Sequence, residues 1–119
     1  MRLEKINIQK ETKIELHSKE LLFLAKSGQP YRGSLYVKFD SLGESFDMLS
    51  FKRYITSLRN KTFYAEDIAY EIYKTIVQSI ESKNLGVVVD LNARGGIQQR
   101  LCYGHAFCTT QKNTIFQLS

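Results

Sequence analysis

Two cysteines, Cys102 and Cys108, flank His105 and are the first residues in this sequence to examine for metal or thiol chemistry. A closed structural zinc site needs four protein ligands. His17 is the one other histidine, and there is no second cysteine pair. The sequence therefore predicts no metal site. A disulfide is disfavoured in a reducing cytosol, so we expect two small, partly buried thiols.

The net charge of the chain bears on which ligands and partners it can bind. A net charge of +5 and a sequence pI of about 9.2 permit binding of phosphate-bearing ligands. The 17 lysines and arginines are spread along the chain, however, as in a solvated basic surface. Nucleic acid is therefore not an expected partner.

The length and hydropathy of the chain predict one globular domain over residues 1–119. No apolar run approaches the roughly 18 residues of a membrane span, so we expect no membrane insertion. The polar N-terminal residues do not resemble a secretory signal, and a cytoplasmic location is the default expectation.

Alternating apolar residues predict the strands that would carry any site. The first begins near residues 12–16 and runs towards Phe23, and the second covers residues 34–40. Between them, Lys26-Ser27-Gly28-Gln29-Pro30 is typical of a turn. Two more strands are predicted at 86–91 and 97–103, and a last one at 114–118.

Helical spacing appears in the middle of the sequence. Four residues share one stripe of the first predicted helix, which Asp47 or Ser45 can cap: Met48, Phe51, Ile55 and Leu58. A second stripe predicts a helix that ends at 84–86: Ala69, Ile72, Tyr73, Ile76 and Ile80.

The order strand, strand, helix, helix, strand, strand predicts an α+β fold. One apolar face on each element favours a four-stranded antiparallel sheet with two helices on one side. Such a small sheet leaves its edges open, which favours pairing between subunits. We therefore expect a homo-oligomer.

Three segments resemble the 7-cyano-7-deazaguanine reductase (QueF) family. KSGQPYRGSLYV resembles the turn and strand that follow that family's Cys-Pro pair. DMLSFKRYITSLRNKTFYAEDI is similar to its Glu-Ser-Lys-Ser-Leu-Lys-x-Tyr helix, its Ser-Phe-Arg-Asn ending and its His-Glu-Asp motif. LNARGGI is close to its Phe-x-Pro-Arg-Gly-Gly-Ile segment. The resemblance spans residues 22–104 and leaves 105–119 as a C-terminal tail.

This resemblance implies the tunnelling fold, in which ββααββ units associate into barrels. Purine-like or pterin-like rings then bind at the subunit junctions. It also implies the queuosine pathway and an NADPH-dependent reduction of a nitrile, in which a cysteine thiolate forms a thioimide with the substrate.

The two central catalytic positions of the family are changed. Leu24 stands at the position of the cysteine, and leucine has no nucleophilic atom. Tyr31 stands at the position of the aspartate that resembles a proton donor, and a phenol with an ordinary pKa of about 10 suits that role poorly. We therefore predict no thioimide chemistry and no confident catalytic residue.

The family's binding residues are better kept. Glu66 matches the glutamate that anchors the purine-like edge, where one carboxylate pairs with adjacent N–H donors. An acidic residue in the first helical turn is also favoured by the helix dipole. Ser27 and Gln29 are further candidates for hydrogen bonds to the ring, whereas Ala65 replaces the family's histidine.

The segments linked to NADPH in the family are kept in part. Ser50 and Lys52 match the helix motif, whose first three residues have changed. Arg94 and Gly95 suit a phosphate or carboxylate, although the glycines also suit a tight loop with positive φ. NADPH is thus expected only if the reductase activity is retained.

Three functions compete at this point. The first is a binding protein of the queuosine and 7-deazaguanine pathway that holds a 7-deazaguanine-type base. The second is an enzyme, either a divergent NADPH-dependent reductase or another tunnelling-fold enzyme acting on a purine-like or pterin-like ring. The third is a basic interaction module, which the scattered charge disfavours.

Overall fold

Two twelve-residue strands make up one side of the main sheet in the computed structural model, which describes residues 3–105. Strand β2 (Lys13–Leu24) pairs antiparallel with β3 (Pro30–Ser41). In β3, Leu35, Val37 and Phe39 are buried in alternation with less buried neighbours. The predicted half-buried strand is confirmed.

The remaining large elements follow the predicted order. Helices α1 (Met48–Ser57) and α2 (Ala65–Ser79) come next, and strands β5 (Ser82–Leu91) and β6 (Arg100–Gly104) close the sheet. The strand order is β2-β3-β5-β6, and every pairing is antiparallel. The buried side chains of both helices share one core with one face of the sheet. The predicted α+β arrangement is therefore confirmed.

A second, two-stranded sheet corrects the prediction of a single sheet. Strand β1 (Lys5–Asn7) pairs with β4 (Glu44–Phe46), and strands of three residues are too short to show a period in the sequence. Phe46 is 1% exposed, with its ring 5.7 Å from that of Phe39 and 5.0 Å from that of Phe51. Phe46 therefore joins the small sheet to β3 and α1.

The carboxylate of Glu44 links three parts of the chain around this small sheet. Its two oxygens accept hydrogen bonds from the backbone N–H of Glu81 at 2.9 Å and from the Lys5 ammonium at 3.1 Å. These contacts lower the pKa of Glu44, the hydrogen bond from Glu81 contributing most. The small sheet is thereby tied to the start of β5.

Helix α1 begins as predicted but does not bury its whole stripe. The Asp47 carboxylate accepts the N–H of Ser50 at 3.0 Å and so caps the helix. Met48, predicted to face the core, is 52% exposed. It is the first helical residue, and Phe46 on the other side of the cap already fills the core at that end.

Helix α2 ends five residues earlier than predicted. The backbone is extended at Ile80, which is buried, and β5 begins at Ser82 opposite Ser41 of β3. Asn84, predicted to stop the helix, lies within β5 at φ 57° and donates to the Asp40 carboxylate at 2.8 Å. Pairing with β3 thus overrides the local stop signal.

The last described strand is shorter than predicted, and its cysteine is more exposed. Ile97 lies in the connection before β6 and is 69% exposed. Cys102 is exposed on this edge strand, so the prediction of a partly buried thiol is wrong for it. Cys108 and the predicted strand at 114–118 lie outside the described residues.

Two absences within residues 3–105 bear on function. In this part of the chain, no three histidine, cysteine, aspartate or glutamate side chains are grouped as metal ligands. None of the helices described here is long and apolar enough to cross a membrane.

His17 and Tyr36 form an aromatic pair on β2 and β3 with a consequence for stability. Their rings stack with centroids 4.1 Å apart, and partial burial, aided by the charge of Lys19, lowers the pKa of His17 from its ordinary 6.5. The unfolded chain then binds the proton more readily than the folded chain. We expect the free energy of unfolding to fall as the pH drops below about 7, and this contribution to level off below the folded pKa of His17.

Urea denaturation of the wild type and His17→Phe at pH about 7 and about 5.5 checks this prediction. Phenylalanine keeps a ring on Tyr36 but has no titrating group. The variant is expected to lose less stability between the two pH values. An equal loss in both proteins would show that His17 is not the group responsible.

Candidate functional site

A pocket of about 550 Å³ lies where the β2–β3 turn meets the connection between β5 and β6. We call it the turn pocket, and its lining residues are Ala25, Ser27, Gln29, Tyr31, Asn92, Arg94, Gly95, Ile97 and Gln99. Five of the residues singled out from the sequence therefore line one cavity: Ser27, Gln29, Tyr31, Arg94 and Gly95.

The turn on one side of this pocket is built as its sequence predicts. The Ala25 N–H donates to the carbonyl of Gln29 at 2.8 Å, and the Gly28 N–H donates to the carbonyl of Ala25 at 2.9 Å. Gly28 has φ 89°, which a side chain would disfavour. Pro30 then starts β3. The turn holds the side chains of Ser27 and Gln29 at the pocket.

Arg94 joins the two sides of the pocket. Its guanidinium donates to the side-chain oxygen of Gln29 and lies over the ring of Tyr31, 4.4 Å from the centroid. Arg94 and Ile97 exchange backbone hydrogen bonds of 2.8 and 3.0 Å, and Gly95 has φ 59° within that loop. The tight-loop role of the glycines is confirmed, and the loop sets the position of the arginine.

Glu66 is connected to the turn pocket by a hydrogen bond from Gln99. It lies in the first turn of α2, and the Gln99 side-chain amide in the pocket wall donates to Glu66 Oε2 at 3.3 Å. The segment before α2 is held against the end of β2, because Leu24 donates to the Lys61 carbonyl and accepts from the Phe63 N–H, each at 2.9 Å. These backbone bonds bring the start of α2 to the turn pocket.

The two changed catalytic positions occupy this same end of the sheet. Leu24 is the last residue of β2, directly before Ala25 of the pocket wall. Tyr31 lies opposite Phe23 across β2 and β3, with ring centroids 5.1 Å apart, and carries Arg94 on its ring. Tyr31 thus has a packing role in addition to lining the pocket.

The four residues linked to NADPH, which are Ser50, Lys52, Arg94 and Gly95, do not line one common pocket within the chain. Ser50 is 6% exposed, and its hydroxyl donates to the Asp47 carbonyl at 2.9 Å and accepts from the Glu4 N–H at 3.0 Å. Lys52 lines a separate groove against α1, whereas Arg94 lines the turn pocket. These residues therefore do not assemble one site for NADPH within the chain.

Sequence reasoning missed two polar residues of the pocket, Asn92 and Gln99. The Gln99 side-chain amide donates to the Glu66 carboxylate, and the Asn92 N–H donates to the Arg32 carbonyl at 2.8 Å. Gln99 falls within the predicted strand 97–103, where a polar residue has the appearance of a solvent-facing strand position. Nothing in the local pattern marks it as a neighbour of Glu66, which is 33 residues away.

Comparison with known proteins supports one family. Residues 30–109 match the model of a family described as QueF-like protein. The NADPH-dependent 7-cyano-7-deazaguanine reductase of Thermomicrobium roseum is 26% identical over 90 residues, which are 75% of this chain and 70% of that protein. The enzyme of the same name from Sulfurimonas denitrificans is 28% identical over 72 residues, which are 60% of this chain and 58% of that protein.

Among solved structures, the crystal structure of the archaeosine synthase QueF-Like in the apo form aligns with a TM-score of 0.68. The alignment covers 80% of this chain and 92% of that one at 12% sequence identity, so it shows a shared fold. The family match covers more than half of the chain and includes most of the turn pocket. The chain belongs to the QueF-like family.

Proposed function

We propose that this chain binds a purine-like base of the 7-deazaguanine type in the turn pocket and forms no thioimide with it. The observation that carries the proposal is the hydrogen bond from Gln99, which lines the turn pocket, to the exposed carboxylate of Glu66. That carboxylate stands at the position where the family anchors the purine-like edge.

The shape and polarity of the pocket support a planar, polar ligand. Its volume of about 550 Å³ lies within the range of about 300–1,000 Å³ that is typical of small-molecule sites. The stacked Tyr31 and Arg94 offer a flat wall, and the side chains of Ser27 and Gln29 offer hydrogen-bonding groups. A base with adjacent N–H donors can pair with both oxygens of one carboxylate.

The side chains at this end of the sheet support the proposed absence of thioimide chemistry. Thioimide formation needs a thiolate next to the nitrile carbon. Leu24 has no thiol. Cys102 of β6 lies opposite Val88 of β5 and does not line the turn pocket. The named relatives are reductases, and reduction by this chain is therefore the alternative proposal.

We also propose that the pocket is completed at a junction between copies of the chain. Strands β2 and β6 are the edges of the four-stranded sheet. An unpaired strand edge favours pairing with another chain. The turn pocket lies at the end of this sheet, where a second copy would contribute further walls to the ligand site.

Calorimetric titration with 7-cyano-7-deazaguanine, together with NADPH absorbance and intact-protein mass, tests the function. We expect the base to bind, NADPH to remain unoxidised, and the protein mass to be unchanged. Oxidation of NADPH that depends on the nitrile would instead support the reductase alternative. Failure to bind any deazapurine, pterin or guanine would contradict both base-binding proposals.

A further inference from the structure

A second cavity, of about 410 Å³, lies at the irregular part of strand β2. The register of β2 against β3 shifts between Ser18 and Leu21, so the strand bulges there. We call the cavity the bulge pocket, and the residues that line it include Lys19, Glu20, Arg32, Gly33, Arg59 and Asn92.

The bulge pocket keeps its shape through backbone contacts. A Cβ atom at Gly33 would lie 2.2 Å from the carbonyl oxygen of Asp90, so no side chain fills the cavity from this position. Arg59 lies in the 3-10 turn Leu58–Asn60 after α1. The hydrogen bond from the Leu24 N–H to the Lys61 carbonyl holds this turn beside β2.

The charges around the bulge pocket are unbalanced. Three cations, Lys19, Arg32 and Arg59, line it together with one acid, Glu20. Among residues 3–105, these cations form no ion pair, whereas Lys5, Lys13, Lys38 and Lys74 each contact a carboxylate. The net positive charge of the lining raises the affinity of the cavity for an anion.

From this arrangement we propose that the bulge pocket binds the phosphate group of a nucleotide. A guanidinium presents parallel N–H donors that match phosphate oxygens, and two arginines line this cavity. The pocket adjoins the turn pocket, because Asn92 lines both. The ligand is then a mononucleotide whose base lies in the turn pocket, and this part rests on the proposed function.

Calorimetric titration of the full chain with inorganic phosphate, guanosine and guanosine 5′-monophosphate tests the proposal at an ionic strength of about 0.15 M. The monophosphate is expected to bind about tenfold more tightly than guanosine, which is about 1.4 kcal/mol. Arg59→Gln should remove this gain and also weaken phosphate binding. Arg53→Gln is the matched control, since Arg53 is an exposed arginine of α1 outside the pocket.

Several results would overturn the phosphate site. The first is that inorganic phosphate does not bind and the monophosphate binds no more tightly than guanosine. The second is an equal loss of phosphate affinity in the Arg53 and Arg59 variants. The third is steeply salt-dependent binding of RNA while the monophosphate binds no more tightly than guanosine.

Glu66→Gln separates this proposal from the proposed function. It should weaken binding of guanosine and the monophosphate alike and leave inorganic phosphate unaffected. If Glu66→Gln changes nothing while Arg59→Gln still weakens phosphate binding, the base site is contradicted and the phosphate site is supported.

Discussion

Glu66→Gln is expected to weaken binding of a 7-deazaguanine-type base by about 100-fold. Each hydrogen bond to a charged group contributes about 1.5–3 kcal/mol, and the carboxylate offers two acceptors to adjacent N–H donors. Glutamine keeps the length of the side chain and an oxygen for the bond from Gln99. The change therefore removes the charge and one acceptor and leaves the wall of the pocket in place.

The affinity is measured by calorimetric titration of the base into each variant. Asp67→Asn is the matched control, because Asp67 is the neighbouring exposed acid in the first turn of α2 and, unlike Glu66, does not accept the hydrogen bond from Gln99. The affinity of the Asp67→Asn variant for the base should stay within about twofold of that of the wild type. A similar loss in both variants would indicate an effect of net charge, and no loss in Glu66→Gln would contradict the anchoring role.

Phe46→Ala is expected to lower the free energy of unfolding by about 3–5 kcal/mol. Phe46 is almost fully buried, and its ring contacts Phe39 of β3 and Phe51 of α1. Alanine would leave a cavity between the small sheet, the main sheet and the first helix. A loss of this size is a large share of the roughly 5–15 kcal/mol that stabilises a typical domain.

Urea denaturation followed by circular dichroism measures this loss, with Leu42→Ala as the control. Leu42 lies four residues before Phe46 and is 40% exposed, so its truncation should cost less than about 1 kcal/mol. Equal effects of the two substitutions would show that the small sheet is not joined to the core through Phe46.

The large elements were predictable because their side chains repeat with the period of the backbone. Leu35, Val37 and Phe39 alternate as a half-buried strand requires, and Ile72 and Ile76 lie on the buried stripe of α2. The turn before Pro30 was also marked locally, by glycine and proline. In these segments, the local preference and the tertiary packing favour the same conformation.

Predictions failed where pairing between distant segments decided the conformation. Asn84 has the residue type of a helix stop, yet it lies inside β5, because this segment pairs with β3. The small sheet joins Lys5 to Phe46 across most of the first half of the chain. Three-residue strands carry no period that could reveal such pairing.

The candidate site also has features that the sequence predicts and contacts that only the tertiary structure shows. By itself, the sequence determined the α+β order, the turn between β2 and β3, and the positions that resemble family motifs, including Leu24 in place of a cysteine. Only the tertiary structure placed Gln99 against Glu66 and Arg94 over Tyr31, and separated Ser50 and Lys52 from Arg94. The physical reason is that side-chain periodicity depends on neighbours within a few residues, whereas these contacts join residues that are far apart in the sequence.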